Sequence, residues 1–367
     1  MDKMVTNKHS FDQVFKGKKV LITGDTGFKG SWLAIWLLEL GAKVYGYALP
    51  PKTEQDNYVV TGLDKKIEHF DGDIRDAKAL KACFKKVQPD MAFHLAAQPL
   101  VLESYQDPKY TFETNVMGSV HFFEAVRETA AVKTAINVTT DKCYQNNEWV
   151  WGYRENDPMG GNDPYSASKG CSELVTNAYI QSFFKESGCN IASARAGNVI
   201  GAGDWAENRI IPDIFRAYMY NKKLVIRNPE ATRPWQHVLE PLSGYLLLAQ
   251  KLYEDSRFVG GWNFGPRDEM NYSVKNLFEQ INTRIKTDNV QFGNLQKQPH
   301  EANLLKLDIS KAVAYLKWRP VLNFQETITY TVEGYLSDIK KADAYKNRVE
   351  TIHNYITKAN QIVNDLK

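Results

Sequence analysis

A tyrosine and a lysine lie four residues apart in segment 163–169, which reads Asp-Pro-Tyr-Ser-Ala-Ser-Lys. On a helix this spacing brings Tyr165 and Lys169 to the same face. A free phenol has a pKa near ~10 and is a poor base at neutral pH. A neighbouring positive charge lowers that pKa, so the pair could remove a proton from a substrate hydroxyl.

A second set of polar residues follows a predicted strand at 133–138. Hydroxyls at the carboxyl end of a strand lie where open α/β sheets bind their ligands, which places Thr139 and Thr140 at such a site. Thr140 could hydrogen-bond the reacting hydroxyl. Asp141 and Lys142 would add an acid and a base for the elimination of water. The alternative is an ion pair on the surface.

Three glycines, Gly24, Gly27 and Gly30, connect the first predicted strand to the first predicted helix. The spacing G-x-x-G-x-x-G permits a tight turn and a close approach of the backbone to a pyrophosphate at the helix N-terminus. It predicts a dinucleotide site, and an oxidised nicotinamide would add positive charge near Tyr165. Asp25 puts a carboxylate in this loop, so either its side chain turns outward or the dinucleotide binds weakly.

The second predicted strand ends in Tyr-Ala-Leu-Pro at 47–50. It therefore lacks both the acidic residue that binds a ribose 2′-hydroxyl and the arginine that binds a 2′-phosphate. This strand does not decide between NAD and NADP.

Alternating strands and helices must position these groups. Strands are predicted at 18–23, 44–48, 67–70, 91–95, 133–138 and 191–194, and helices at 31–40, 77–87 and 111–129. This order predicts an α/β fold, a Rossmann-type doubly wound parallel sheet with helices on both faces.

The second half of the chain is less regular. Helices are predicted at 211–220, 239–253, 274–284, 309–316 and from 326 onward, and short strands at 224–226 and 261–264. We therefore divide the chain into a dinucleotide-binding domain at 1–195, whose core starts near Lys18, and a smaller substrate-binding lobe at 196–367. No linker separates them, so the lobe is expected to interleave with the sheet edge. An amphipathic helix is predicted beyond Tyr345.

Composition excludes several other classes of protein. The 367 residues include 46 Lys and Arg against 43 Asp and Glu, a net charge of +3 that is too small for a nucleic-acid surface. Neither a signal segment nor an apolar run of the ~20 residues that a membrane span requires is found. The four cysteines are widely spaced, which argues against a disulfide scaffold or a zinc site. We expect a cytoplasmic protein that binds neither nucleic acid nor membrane.

Further motifs carry a resemblance to a known family. Besides the Thr-Asp-Lys triplet they are Asn-Val-Met-Gly at 115–118, Trp-Val-Trp-Gly-Tyr-Arg-Glu-Asn at 149–156, Arg-Ala-Gly-Asn-Val-Ile-Gly at 195–201 and Arg-Pro-Trp-Gln-His-Val at 233–238. Together they resemble the CDP-glucose 4,6-dehydratases of the extended short-chain dehydrogenase/reductase superfamily, over about residues 18–328. Similar dehydratases that act on dTDP-glucose carry Glu at the position of Lys142.

The resemblance implies an internal redox cycle on one bound sugar, with NAD as cofactor and a place in deoxysugar and lipopolysaccharide biosynthesis. Tyr165 would be the base at the 4-hydroxyl, with Thr140 as its hydrogen-bonding neighbour and Lys169 as pKa modifier and ribose anchor. Asp141 would protonate the departing 6-hydroxyl. Lys142 is placed to be the C5 base, although an amine with a pKa near ~10.4 must first be shifted downward.

The resemblance also implies the binding residues and partners. The predicted cofactor site consists of Gly24, Thr26, Gly27, Phe28, Lys29, Gly30, Asp73, Ile74, Leu95, Ala96, Ala97, Gln98, Asn115, Thr139, Tyr165, Lys169 and Arg195. The predicted nucleotide-sugar site consists of Asn198, Arg209, Arg233, Trp235 and His237, and no metal is expected. Arg233 could instead pair with Glu240, and Trp235 and His237 could be packing residues. By resemblance alone, a homodimer or homotetramer is expected.

Two departures from the family keep alternatives open. The family usually has Arg where this chain has Leu102, and a neutral residue or His where it has Asp25. A 4,6-dehydratase for another nucleotide sugar therefore remains an alternative. So do an epimerase or 4-ketoreductase, against which Asp141 and Lys142 argue, and a regulatory protein without turnover.

Overall fold

A seven-stranded parallel sheet forms the centre of the structure, a computed structural model that describes residues 11–267, 272–293 and 304–365. The strands in chain order are β1 (Lys19–Thr23), β2 (Lys43–Ala48), β3 (Glu68–Asp71), β4 (Met91–His94), β5 (Thr134–Val138), β6 (Asn190–Arg195), β7 (Val199–Ile200), β8 (Leu224–Ile226), β9 (Thr232–Arg233), β10 (Gln236–His237), β11 (Gly260–Asn263), β12 (Tyr272–Ser273) and β13 (Val290–Phe292). The central order is β11-β6-β5-β4-β1-β2-β3, and the other strands form the pairs β10-β7, β12-β9 and β13-β8.

Helices cover both faces of this sheet. They are α1 (Phe28–Glu39), α2 (Asn57–Val60), α3 (Ala77–Val87), α4 (Val101–Gln106), α5 (Pro108–Phe112), α6 (Gly118–Arg127), α7 (Pro164–Tyr179), α8 (Ile210–Tyr220), α9 (Leu239–Glu254), α10 (Val274–Ile285), α11 (Phe324–Ile339) and α12 (Ala344–Asp365). Within the described ranges, no helix combines the length and the apolar character needed to cross a membrane.

The predicted parallel α/β sheet is confirmed, and the predicted strands lie within one or two residues of the observed ones. One prediction was too simple, because the helix at 111–129 is three segments, α5, a π-helical turn at Glu113–Met117, and α6. Within that turn the Asn115 side chain bonds to the backbone of Gln98, an attachment that periodicity cannot reveal. The predicted helix at 309–316 is likewise largely a π-helical turn at Ala312–Leu316.

The second half of the chain completes the sheet. Strand β11 lies beside β6 in parallel register, and α9 is buried along most of its length. The C-terminal helix α12 packs on α1 and α11, where the buried Arg348 guanidinium pairs with Asp338 and donates to Asn57 Oδ1 at 2.9 Å. Helix α1 therefore packs between the sheet and α12, and its N-terminus lies at the carboxyl end of β1.

Candidate active site

The loop between β1 and α1 forms a cradle that leaves no room for a side chain at its first and last glycines. Gly24 has a φ of +81°, and a Cβ there would lie 2.6 Å from the amide nitrogen of Ala96. A Cβ on Gly30 would overlap the carbonyl oxygen of Gly24. Gly27 is the N-cap of α1 and supplies no side-chain acceptor, so the N–H groups of the first turn stay available. The cradle fits a dinucleotide pyrophosphate at a helix N-terminus.

Asp25 does not take the outward orientation that was one of the two alternatives from the sequence. Its carboxylate is fully buried beneath the loop, so the prediction that it turns outward is wrong. Its Oδ2 lies 2.7 Å from Nδ1 of His69 on β3, and any Cβ on Gly46 would overlap the carboxylate. Burial raises the pKa of Asp25, and the hydrogen bond with His69 opposes that shift. Burial lowers the pKa of His69, but the hydrogen bonds and charges of Asp25 and Asp71 together outweigh it and leave this pKa above its ordinary value.

Several predicted cofactor residues lie at the carboxyl ends of β1, β3 and β4. The Thr26 hydroxyl donates to the carbonyl of Leu49 at 2.9 Å, and the amide of Leu95 donates to the carbonyl of Thr23 at 2.9 Å. Phe28 and Lys29 begin α1, and Ala96 and Ala97 follow Leu95 at the end of β4. Asp73 accepts from Arg75 Nη2 at 2.7 Å, and Ile74 is buried against Gly118.

Gln98 and Asn115 belong to a buried hydrogen-bond network. Gln98 donates its backbone N–H to Asn115 Oδ1 at 2.9 Å, and Asn115 Nδ2 donates to Ser168 Oγ at 2.9 Å. Both side chains are buried. They tie the end of β4 to α7, which carries Tyr165 and Lys169.

The side chains of Thr139 and Arg195 turn away from the cleft into a buried network. Arg195 Nη2 lies 2.6 Å from Glu173 Oε2, and Arg195 Nη1 donates to the Tyr144 hydroxyl at 2.6 Å. The Thr139 hydroxyl donates to Glu173, and Ser193 Oγ donates to the same carboxylate at 2.7 Å. The geometry thus gives no support to cofactor contacts by these two side chains. Glu173 was missed, although its position one helical turn after Lys169 is visible in the sequence.

The predicted catalytic groups converge at the carboxyl end of β5. Asp163 caps α7 by accepting from the Ser166 amide at 2.9 Å, which fixes the turn that bears Tyr165. The Thr140 side chain lies within hydrogen-bonding reach of the Tyr165 phenol. Thr140 Oγ1 also donates to Asp141 Oδ1 at 2.9 Å. Phenol, hydroxyl and carboxylate therefore form one connected set.

Asp141 is buried, with 2% of its surface exposed. Its second oxygen accepts from Asn198 Nδ2 at 3.2 Å, and a Cβ on Gly197 would overlap the carboxylate. The alternative of a surface ion pair with Lys142 is therefore wrong. Lys142 is half-buried in the 3₁₀ turn Asp141–Cys143, where its amide donates to Thr140 Oγ1 at 3.3 Å.

Burial governs the protonation states of the site. It raises the pKa of Tyr165 to about 12, outweighing the Thr140 hydrogen bond, whereas the predicted lowering of this pKa requires the positive charge of a bound nicotinamide. Burial lowers the pKa of Lys169 to about 8, against the opposing charge of Glu173. Burial, with the nearby charges of Lys169 and Arg209, lowers the pKa of Lys29 to about 7. The Lys29 ammonium lies 6.0 Å from the ring centre of Tyr245.

Three of the predicted substrate residues offer polar groups beyond this cluster. Asn198 adopts a left-handed conformation, with φ +51°, next to Asp141. Arg209 pairs with Asp204 at 2.9 Å and keeps a third of its side chain exposed. Arg233 is buried and donates to the carbonyl of Thr232 at 2.9 Å.

The remaining predicted contacts are packing residues. Trp235 is buried and donates its indole N–H to the carbonyl of Tyr272 at 3.0 Å. His237 is buried edge-on to Trp32, and burial lowers its pKa to about 3, so the ring is neutral. Substrate contact by these two side chains finds no support, because both are enclosed. Glu240, the alternative partner of Arg233, instead accepts from the amides of Val321 and Leu322.

The cluster is equipped for proton transfer beside a dinucleotide. A phenol and an ammonium share one helix face, and a hydroxyl links the phenol to a buried carboxylate. Across residues 11–267, 272–293 and 304–365, no group of three or more His, Cys, Asp or Glu side chains could hold a metal ion.

Comparison with known sequences gives matches along most of the chain. The profile of the family described as GDP-mannose 4,6 dehydratase matches residues 21–331. A CDP-glucose 4,6-dehydratase from Salmonella typhimurium is 49% identical over 335 residues, which cover 90% of this chain and 93% of the relative. The dTDP-glucose 4,6-dehydratase 1 of Escherichia coli is 25% identical, covering 90% of this chain and 98% of the relative.

Solved structures share the fold. A dTDP-glucose 4,6-dehydratase from Streptomyces venezuelae with NAD bound has a TM-score of 0.75 at 23% identity, covering 89% of this chain and 99% of that one. A UDP-glucose 4-epimerase from Thermus thermophilus in complex with NAD has a TM-score of 0.73 at 24% identity, covering 87% and 99%. These likenesses confirm the predicted Rossmann-type architecture.

Proposed function

The chain belongs to the family of NAD-dependent nucleotide-sugar 4,6-dehydratases, and we propose that it converts CDP-D-glucose to CDP-4-dehydro-6-deoxy-D-glucose. The resemblance read from the sequence motifs is thereby confirmed at the level of the family. The observation that carries the proposal is the buried Asp141, which accepts from the Thr140 hydroxyl at the carboxyl end of β5, beside the Tyr165 phenol. An epimerase or ketoreductase has no use for an acid at that position.

The preference for CDP-glucose rests on the Salmonella relative, which carries that name and is far more similar than the dTDP-glucose enzymes. We assign the positive charge for the substrate diphosphate to Arg209, which pairs with Asp204, and to the buried Arg233, and Asn198 offers an amide donor. Leu102 is half-buried in the first turn of α4, where the family usually has Arg.

When bound at the glycine loop, NAD supplies a hydride acceptor for C4 and later a hydride donor for C6. Tyr165 takes the proton of the 4-hydroxyl as the C4–H bond breaks, leaving a 4-keto sugar. Because the pKa of Tyr165 is about 12 in the protein alone, the positive charges of Lys169 and the oxidised cofactor must favour the phenolate at that moment. Lys169 also anchors the cofactor ribose.

The 4-keto group acidifies the C5 proton, and Lys142 accepts that proton in this proposal. Asp141 gives a proton to the 6-hydroxyl, so the C6–O bond breaks and one water leaves. Hydride return to C6 and a proton to C5 complete the product. Oxidation and reduction cancel within one sugar, so the net change is the loss of one water.

The decisive experiment is incubation of the purified protein with CDP-glucose and a trace of NAD⁺. Mass spectrometry should show loss of one water without net NADH, and the Tyr165→Phe variant serves as the inactive control. Water loss from dTDP- or GDP-glucose alone would support the proposed reaction and contradict the proposed specificity for CDP. A Leu102→Arg variant would then show whether this position shifts the preference. Inversion at C4 without water loss would favour an epimerase.

We further propose that two subunits pair through α5, α7 and the π turn between α5 and α6. Large apolar side chains are exposed on these elements, with Leu174 60%, Met117 46% and Phe112 37% accessible. Exposed apolar side chains on elements that contact one another favour a protein interface. Light scattering after gel filtration should give a dimer or tetramer, and Leu174→Asp should shift it toward the monomer. A monomeric wild type would contradict this proposal.

A further inference from the structure

A pair formed by a buried carboxylate and a half-buried imidazole lies directly beneath the phosphate-binding loop. Asp25 belongs to the loop itself, its side chain is fully buried, and its Oδ2 lies 2.7 Å from His69 Nδ1. Its Oδ1 is buried and finds no hydrogen-bond partner among the described residues. Gly46 provides the space for the carboxylate. The position of this charge is therefore fixed by packing.

A fixed negative charge here opposes the proposed ligand. The pyrophosphate of NAD is anionic, and a buried carboxylate in the loop that cradles it repels it in a low-dielectric setting. The imidazolium of His69 is placed to cancel that charge. The other ring nitrogen of His69, Nε2, lies 3.3 Å from the exposed carboxylate of Asp71.

We propose that His69 is a positioning residue of the cofactor site, which compensates Asp25 beneath the pyrophosphate so that NAD⁺ binding is coupled to a proton held by the Asp25–His69 pair. The proposal rests on the proposed use of NAD at the glycine loop. At low pH the pair holds its proton and the dinucleotide binds best. As pH rises through the pKa of His69, the compensation is lost and affinity falls, since binding must then draw a proton back onto the pair.

The surrounding groups do not offer another explanation for such a dependence. The charged or titratable neighbours of the pair are Asp71 on β3, Tyr58 on α2 and Cys83 on α3. Burial raises the pKa of Tyr58 and of Cys83 to about 12, so both stay neutral near pH 7. The buried His94 has a pKa of about 3 and also stays neutral.

The test is direct calorimetric titration of NAD⁺ into the full-length protein without sugar, between pH 6 and 9. Wild type should bind more weakly as pH rises, by up to about tenfold per pH unit for one coupled proton. At pH values above the pKa of the pair, two buffers of different ionisation enthalpy should reveal proton uptake on binding. Asp25→Asn should bind tightly with a flat pH dependence, because it removes the charge and keeps the shape.

The matched variants separate charge compensation from a merely structural role. His69→Gln should bind weakly and without proton uptake, and adding Asp25→Asn to it should restore affinity. Asp71→Asn, which alters only the exposed partner of the ring, should keep most of the wild-type pH dependence. A flat wild-type profile, or proton uptake that survives in His69→Gln, would overturn the inference. If dehydration fails but these titrations behave as expected, the inference stands and the proposed reaction falls.

Discussion

Replacing Glu173 by Gln should destabilise the protein by about 3–5 kcal/mol, the usual cost of removing one partner from a buried ion pair. Glu173 accepts from Arg195 at 2.6 Å, from Ser193 at 2.7 Å and from the Thr139 hydroxyl. Among the described residues, the hydrogen-bond acceptors left to Arg195 would be neutral, namely the Tyr144 hydroxyl, the carbonyl of Glu155 and the new amide at position 173, around a guanidinium that is 4% exposed. An uncompensated buried charge, more than the lost hydrogen bonds, sets this magnitude.

Urea unfolding, followed by circular dichroism, measures the change. The double variant Glu173→Gln/Arg195→Met removes both charges and should recover most of the lost stability, because no buried charge then lacks a partner. Arg127→Gln, at the exposed pair with Glu124, is a control and should leave the stability almost unchanged.

Glu173→Gln should also change the pH dependence of catalysis. The charge of Glu173 supports the protonated form of Lys169, whose pKa is about 8. Without it that pKa falls, so the alkaline limb of the activity profile should move to lower pH in both the single and the double variant. A loss below about 1 kcal/mol in Glu173→Gln, or an unchanged alkaline limb, would refute this reasoning.

The remaining predictions concern the reaction itself. Tyr165→Phe should abolish oxidation at C4, seen as the absence of NADH absorbance in a single turnover, while NAD⁺ binding persists. Asp141→Asn should slow water loss far more than oxidation, so that the 4-keto sugar accumulates; equal slowing would remove Asp141 from its role. In D₂O, Lys142→Met should stop exchange of the C5 proton. Gly30→Ala should eliminate NAD⁺ binding in calorimetry and lower the melting temperature, because its Cβ overlaps the carbonyl of Gly24.

Local patterns in the sequence were sufficient for the framework of the site. The glycine spacing, the Tyr165–Lys169 spacing and the hydroxyls after β5 each depend on residues close together in the chain. Strand and helix periodicity then bring their ends to one edge of a parallel sheet, because that edge is common to all its strands. The π turn at Glu113–Met117 was not predicted, because one of its side chains bonds to backbone that follows another strand, and local periodicity does not show this contact.

The sequence by itself determined the fold class and predicted the glycine loop and the residues of the proposed catalytic cluster, because each follows from short-range spacing. Only the tertiary structure decided where individual side chains point. It directed Asp25 toward His69, Arg195 toward Glu173, and His237 into the core. It also buried the Tyr165 phenol, which raises its pKa to about 12. Direction and burial depend on neighbours far away in the chain, and desolvation costs a charged form more than local spacing can indicate.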